Sequence, residues 1–253
     1  MIPYRLMPSF YIAGIHIGVA PLMSTLGFVV MGYLAAREAK KIKLFRDRNE
    51  SLLFFLLFAL CSLAGGRIWY FTEHFDGAAT IRQFFNVFEP GLASFGMIIG
   101  GAVFLALWTR KHRKGSFALL ADVTALYTPL FIAIYRIGCY FNGCCYGIRT
   151  NVAWALKNTI TGVARHPSQV YEIASALLIF VILKHMKKRF KGEIALWFLV
   201  LYATGRFITD FFRYYPEHYL GLSITQFYCL GIFLIGSFLL TRKYLIIYRT
   251  SRA

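Results

Sequence analysis

"SLLFFLLFALCSLAGGRIWYF", residues 51–71, holds a single charged side chain, Arg67, in an otherwise apolar run. A helix of about twenty such residues crosses the hydrocarbon of a bilayer, so the stretch reads as a transmembrane helix with its one charge near an end. Further runs of this kind lie near residues 17–36, 92–109, 118–135, 167–184, 194–212 and 222–241. The chain is 58% hydrophobic and only 15% charged, whereas a soluble domain carries about a quarter charged residues. The expected fold class is all-α: an integral membrane protein with seven transmembrane helices, forming one polytopic domain over residues 1–253. The first run leads into charge and further spans and lacks a small-residue cleavage site, which marks a retained helix rather than a signal peptide.

The formal net charge is +17, and the basic residues fall in clusters. Arg37, Lys40, Lys41, Lys43, Arg46 and Arg48 follow the first run, and Arg110, Lys111, Arg113 and Lys114 follow the third. Lys187, Lys188, Arg189 and Lys191 follow the fifth, and Arg242, Lys243, Arg249 and Arg252 occupy the tail. These segments alternate with poorer ones, so the positive-inside rule places the N-terminus outside and the C-terminus in the cytoplasm. A basic excess in so apolar a chain reflects topology and contact with anionic membrane lipids. No nucleic acid partner is expected.

Several arginines break that pattern. Arg67, Arg136, Arg165 and Arg206 all fall toward the outer side. An arginine within a span costs about 2.5–3.5 kcal/mol on insertion scales, so such residues face a cavity or an acidic partner. In "LYATGRFITDFFR" (201–213), Tyr202, Arg206, Asp210 and Arg213 are spaced to share one helical face. That face is either a self-neutralised stripe joining helices or an anion cradle with a surplus positive charge. In "RHPSQVYE" (165–172), Pro167 suits the first position of a helix. Arg165 and His166 then stand at a helix N-terminus that favours anions, with Gln169 and Glu172 on one face. His166 is read either as a cap or as a catalytic group. The glycines of "LAGGR" (63–67) and "GMIIGG" (96–101) suit close helix packing.

"YRIGCYFNGCCYG" (135–147) gathers Cys139, Cys144 and Cys145 around an Asn–Gly pair. The spacing departs from the paired knuckles of common zinc sites even with His166 added, and no metal or other cofactor is expected. A disulfide from Cys139 to Cys144 or Cys145 is sterically conceivable on the outer side, although C-x-x-C is absent. Cys61 and Cys229 sit in spans as apolar filler.

These motifs together resemble the prolipoprotein diacylglyceryl transferase family. "RIGCYFNGCCYG" is similar to its signature loop, and "RHPSQVYE" matches that family's Arg-His-Pro-Ser-Gln-Leu-Tyr-Glu almost letter for letter. "YATGRFITDFFR", "LSITQF" and "LAGGRIWYF" resemble its sixth, last and second helices, so the likeness covers the second to seventh spans in order. The resemblance implies a multi-pass bacterial inner-membrane enzyme with its active site toward the periplasmic face. Its implied reaction moves the diacylglyceryl group of phosphatidylglycerol to the lipobox cysteine of a preprolipoprotein and releases glycerol phosphate. The resemblance assigns catalysis to Arg136, Arg206 and His166, with Asn142 and Gly143 shaping the headgroup pocket and Asp210 holding Arg206. Arg67, Arg165, Gln169, Glu172, Tyr202, Arg213, Cys139 and Cys144 are further candidates for substrate binding.

This chain departs from well-studied members at definite places. "SFGMIIGG" (94–101) has no His where they carry Ser-Phe-His-Gly-Gly, and "VAPLMSTLGF" (19–28) lacks their Trp-Tyr-Gly. Cys139 and Cys144 stand at their Asn and Glu positions, and Tyr135 stands at the leading Gly. Alternative readings are a paralogue serving another acceptor, a thiol redox membrane protein and a lipid transporter.

Overall fold

The structure is a computed structural model that describes residues 2–4, 9–12, 15–73, 93–112, 117–158 and 161–250. Arg113, Lys114 and Arg252 of the basic clusters lie outside the described residues. Among the described residues there are seven helices: α1 (Val19–Lys41), α2 (Arg48–Glu73), α3 (Ser94–His112), α4 (Phe117–Asn142), α5 (Ser168–His185), α6 (Glu193–Asp210) and α7 (Ile224–Thr250). Each coincides with one of the apolar runs. Five of them, α1, α2, α4, α5 and α7, are long and apolar enough to cross a membrane. The helix α6 carries three charged residues, Glu193, Arg206 and Asp210, within its 18 residues, and α3 closes on Arg110, Lys111 and His112.

The outward faces of these helices stay apolar. Leu56 and Leu60 on α2 are 58% and 52% exposed, and Leu234 and Phe238 on α7 are both 66% exposed. Large apolar side chains one helical turn apart and open on this scale need a hydrocarbon solvent.

The all-helical expectation is met with an addition. Short strands β1 (Ile2–Tyr4), β2 (Ser9–Ile12), β3 (Ile15–Gly18), β4 (Leu156–Asn158) and β5 (Ala164–Arg165) pair outside the helices. The order β1-β4-β5 makes one sheet, with β1 parallel to β4, and β2 and β3 form an antiparallel pair. The connection from α4 to α5 is too long for a turn, and its backbone polar groups find partners by pairing.

The chain divides into two compact units, residues 28–124 and residues 1–27 with 125–253. In the first unit α2 packs on α3 where Gly65 meets Gly96 and Gly100 so closely that any Cβ would strike the facing backbone. Phe54, Phe104 and Trp108 fill the adjoining layer, with ring centroids 5.2–5.7 Å apart. In the second unit α5 packs on α6 and α6 on α7, Gly205 of α6 lying against Ser175 of α5. Pro129 stands inside α4, where the ring removes one helical hydrogen bond.

Candidate active site

Glu172, on the second turn of α5, is the hub of a buried charge network in the second unit. Its Oε2 lies 2.7 Å from Arg136 Nη2 on α4 and 2.5 Å from Arg206 Nη1 on α6. Its Oε1 lies 3.5 Å from Arg213 Nη1. Arg206 Nη2 is 3.2 Å from Asp210 Oδ1, one turn along the same helix, and donates to the Tyr215 hydroxyl at 2.9 Å. That hydroxyl donates in turn to Asp210 Oδ2 at 3.0 Å. Burial pushes the Tyr215 pKa up, which keeps the group a donor.

Three guanidinium groups therefore face two carboxylates, leaving one surplus positive charge among side chains at most 15% exposed. Arg136 Nε has no hydrogen-bond acceptor among the described residues. A surplus cation in a low dielectric is costly unless an anion joins it.

The local sequence explains how the loop after Arg136 is set. The helix α4 ends in a Schellman turn: Gly143, at φ +67°, donates its N–H to Tyr140 O at 3.1 Å, and Cys144 donates to Cys139 O at 3.3 Å. This is the role of the Asn142–Gly143 pair. Ser168 Oγ then donates to Cys145 O, and Gln169 Nε2 to Cys144 O, both at 2.7 Å. The N-terminal turn of α5 thus holds the loop, with Pro167 at the N-cap one residue before the first helical position that its sequence context suggests. Gly147 is required further on, since a side chain there would strike the backbone of His166 and Phe212.

The sequence-identified residues separate into groups. Arg136, Glu172, Arg206, Asp210 and Arg213 converge, but Arg213 arrives by a different route from the one expected. The helix α6 stops at Asp210, so Arg213 lies in the following turn and reaches Glu172 instead of extending a helical stripe. Tyr202 is buried and stacks on Phe198, with centroids 5.7 Å apart. Both line a narrow crevice that has Glu172 and Arg206 at its polar side and Ile132 and Ile179 on its apolar walls. Cys139, Cys144 and Cys145 are free thiols whose sulfurs lie within 4.8 Å of one another, and Arg136 Nη1 lies 3.9 Å from Cys139 Sγ. Hydrogen bonding from the neighbouring thiols, with the charges of Arg213 and Arg136, draws the Cys145 pKa well down.

His166 and Arg165 join a second cluster. The indole Nε1 of Trp154 donates to Tyr171 OH at 2.8 Å, and that hydroxyl lies 3.0 Å from His166 Nδ1. The chain is satisfied throughout when Tyr171 donates to Nδ1 and the proton of a neutral imidazole sits on Nε2. Burial lowers the His166 pKa, which favours that neutral form. The guanidinium of Arg165 lies 4.4 Å from the Tyr146 ring centroid and 5.5 Å from that of Tyr214, and it donates to Gly147 O at 3.1 Å. Arg67 belongs to the first unit, where it sits 5.0 Å from the Phe71 ring centroid.

Tyr215 and Ser168 in the charge network and its loop, and Trp154, Tyr171, Tyr146 and Tyr214 in the second cluster, are participants that sequence reasoning did not single out. Tyr215 lies beyond the end of α6, where helical spacing no longer predicts which side chains share a face, and only the Pro216 that follows hinted at a fixed turn.

Convergent arginines shared by buried carboxylates, a crevice with one charged side, and a loop fixed against α5 suit an anionic amphiphile. Comparisons with known proteins agree. The sequence model of the family described as prolipoprotein diacylglyceryl transferase matches residues 9–242. A phosphatidylglycerol–prolipoprotein diacylglyceryl transferase from Polynucleobacter necessarius is 31% identical over 238 residues, which are 88% of this chain and 89% of the relative. One from Chromohalobacter salexigens is 35% identical over 216 residues, covering 83% and 79%, and one from Haemophilus influenzae is 32% identical over 234 residues, covering 88% and 86%. With the match extending from β2 to the middle of α7, and with the charge network built from the motifs that first suggested the likeness, this chain belongs to the prolipoprotein diacylglyceryl transferase family.

Proposed function

We propose that this protein transfers the diacylglyceryl group of phosphatidylglycerol to the lipobox cysteine of a prolipoprotein, at the outer face of a bacterial inner membrane that its seven helices cross. The acceptor sulfur, as thiolate, attacks the glyceryl carbon. The carbon–oxygen bond to phosphate breaks, the product is a thioether, and glycerol phosphate leaves with the electron pair of the broken bond. Negative charge grows on the departing phosphate, and cations fixed in a water-poor site stabilise it.

The surplus positive charge around Glu172 carries this reading. Arg136, with its Nε unmatched among the described residues, and Arg206 are the groups for the phosphate. Asp210 and Tyr215 fix the orientation of Arg206. The acceptor thiol has an ordinary pKa of about 8.5, so its ionisation needs only modest help. His166, whose Nδ1 accepts from Tyr171, keeps Nε2–H as a donor that orients the lipid headgroup.

The experiment mixes purified protein in detergent with phosphatidylglycerol and a short lipobox peptide, and follows the peptide by mass spectrometry. A diacylglyceryl adduct on the cysteine together with released glycerol phosphate is the expected result. Lipid binding that depends on Arg136 and Arg206, without any adduct, would shift the assignment to another acceptor.

A further inference from the structure

We infer that Cys139, Cys144 and Cys145 form a three-thiolate site for a thiophilic divalent cation of the zinc class. The local fold brings these residues together. In a Schellman turn the side chains of the third residue from the helix end and of the second residue beyond it meet, and here those residues are Cys139 and Cys144. Cys145 adopts φ +61°, a left-handed conformation that a side chain adopts only at a cost, and the contacts of Ser168 and Gln169 with the loop carbonyls hold it there. All three sulfurs consequently lie within 4.8 Å of one another.

Zinc–sulfur bonds of about 2.3 Å place thiolates about 4 Å apart, so the site closes on an ion with small side-chain rotations. Charge favours the same occupant. Three thiolates and a divalent cation sum to one negative charge, and the Arg136 guanidinium 3.9 Å from Cys139 Sγ offsets it locally. Arg136 is common to both sites, through Glu172 and through Cys139. Thiol protons leave as the ion enters, so affinity falls as pH falls. The fourth tetrahedral position stays open. The spacing is not that of paired knuckles because the helix end, rather than two turns, presents the ligands.

The test titrates the reduced full-length protein in detergent with cadmium ion alone. A sulfur-to-metal charge-transfer band that saturates at one equivalent is expected, with a rise in the thermal midpoint. The double variant C61S/C229S keeps both. C139S, C144S and C145S each lose one thiolate's share of the band and bind at least about tenfold more weakly. Bound cadmium also shields Cys144 and Cys145 from maleimide in the unmutated protein, a readout that needs no variant to fold. Absence of the band, a band unchanged in the three single variants, or no shielding would overturn the proposal. So would a peptide map of freshly isolated protein showing two of the three joined as a disulfide. None of these readouts depends on lipid transfer, so the outcome is separate from that of the peptide assay.

Discussion

Arg136 Nη2 lies 2.7 Å from Glu172 Oε2, although only 5% and 6% of the two side chains are exposed. The same oxygen also holds Arg206, so one carboxylate pins α4, α5 and α6 together. Membrane helices gain little from apolar contact with one another, because lipid is an equally good apolar partner. A shared ionic hub therefore carries more of the packing here than it would in a soluble core.

Glu172→Gln removes the charge at that hub and leaves three arginines facing Asp210 alone. Breaking a buried ion pair costs about 3–5 kcal/mol. The variant is expected to insert but to melt at a clearly lower temperature in detergent, and to lose peptide lipidation. An unchanged melting midpoint would show that the hub does not pin the helices.

Arg136→Ala and Arg206→Ala are expected to reduce turnover of the lipobox peptide by about 10²–10³, the usual penalty for removing one group that stabilises developing negative charge. Both proteins should still appear in the membrane fraction. Arg206→Lys keeps the charge but loses the planar fork that reaches Glu172, Asp210 and Tyr215 at once. Its activity should stay well below wild type, and a full rate in any of these variants would remove the arginine from the site.

Sequence period and hydropathy were enough to locate the seven helices among the described residues, five of which are long and apolar enough to cross a membrane, because a span must satisfy its own backbone and be apolar over a fixed length. The Arg206–Asp210 pair was equally legible from one-turn spacing. Glu172 as a hub was not, since three of its partners lie on other segments and no local pattern records a tertiary meeting. The nearness of Cys139 to Cys144 and Cys145 was legible, since a disulfide between them was sterically conceivable; the helix-ending turn that brings Cys139 and Cys144 together was not, because it is set by backbone hydrogen bonds. Arg165, a candidate for substrate binding from its place before a helix, has its guanidinium set by the rings of Tyr146 and Tyr214, which no local pattern foretold.

Tyr215→Phe isolates the support of Arg206. The hydroxyl links Arg206 Nη2 to Asp210 Oδ2, and its loss is expected to cost about 1 kcal/mol of stability. As a positioning residue it should lower kcat more than it raises KM, while Tyr215→His, which keeps a polar group near both partners, should recover part of the loss. Equal binding and turnover in Tyr215→Phe would show that the Arg206–Asp210 contact suffices alone.

The proposed orientation is open to reporter fusions. An alkaline phosphatase domain placed after Lys43 or at the C-terminus should be inactive, and one placed after Thr150 should be active, if the basic segments are cytoplasmic. The reverse pattern would put the Glu172 network on the cytoplasmic side and rule out transfer at the outer face.

The last prediction concerns His166, whose pKa burial holds below its ordinary value. Above about pH 6.5 the imidazole is neutral in both folded and unfolded chains, so its full contribution to stability is present. As pH falls below that point the unfolded chain takes up a proton that the folded site resists, and stability declines until the folded imidazole is itself protonated. Protonation also replaces the acceptor at Nδ1 with a second N–H, which opposes donation from Tyr171. The melting midpoint of the wild type should therefore drop more steeply between pH 6.5 and 5 than that of His166→Gln, measured in one detergent at fixed ionic strength. The partial exposure of the ring keeps the difference modest. A wild-type midpoint that rises on acidification relative to the variant would mean that the imidazolium gains an acidic partner, and the neutral assignment at His166 would be wrong.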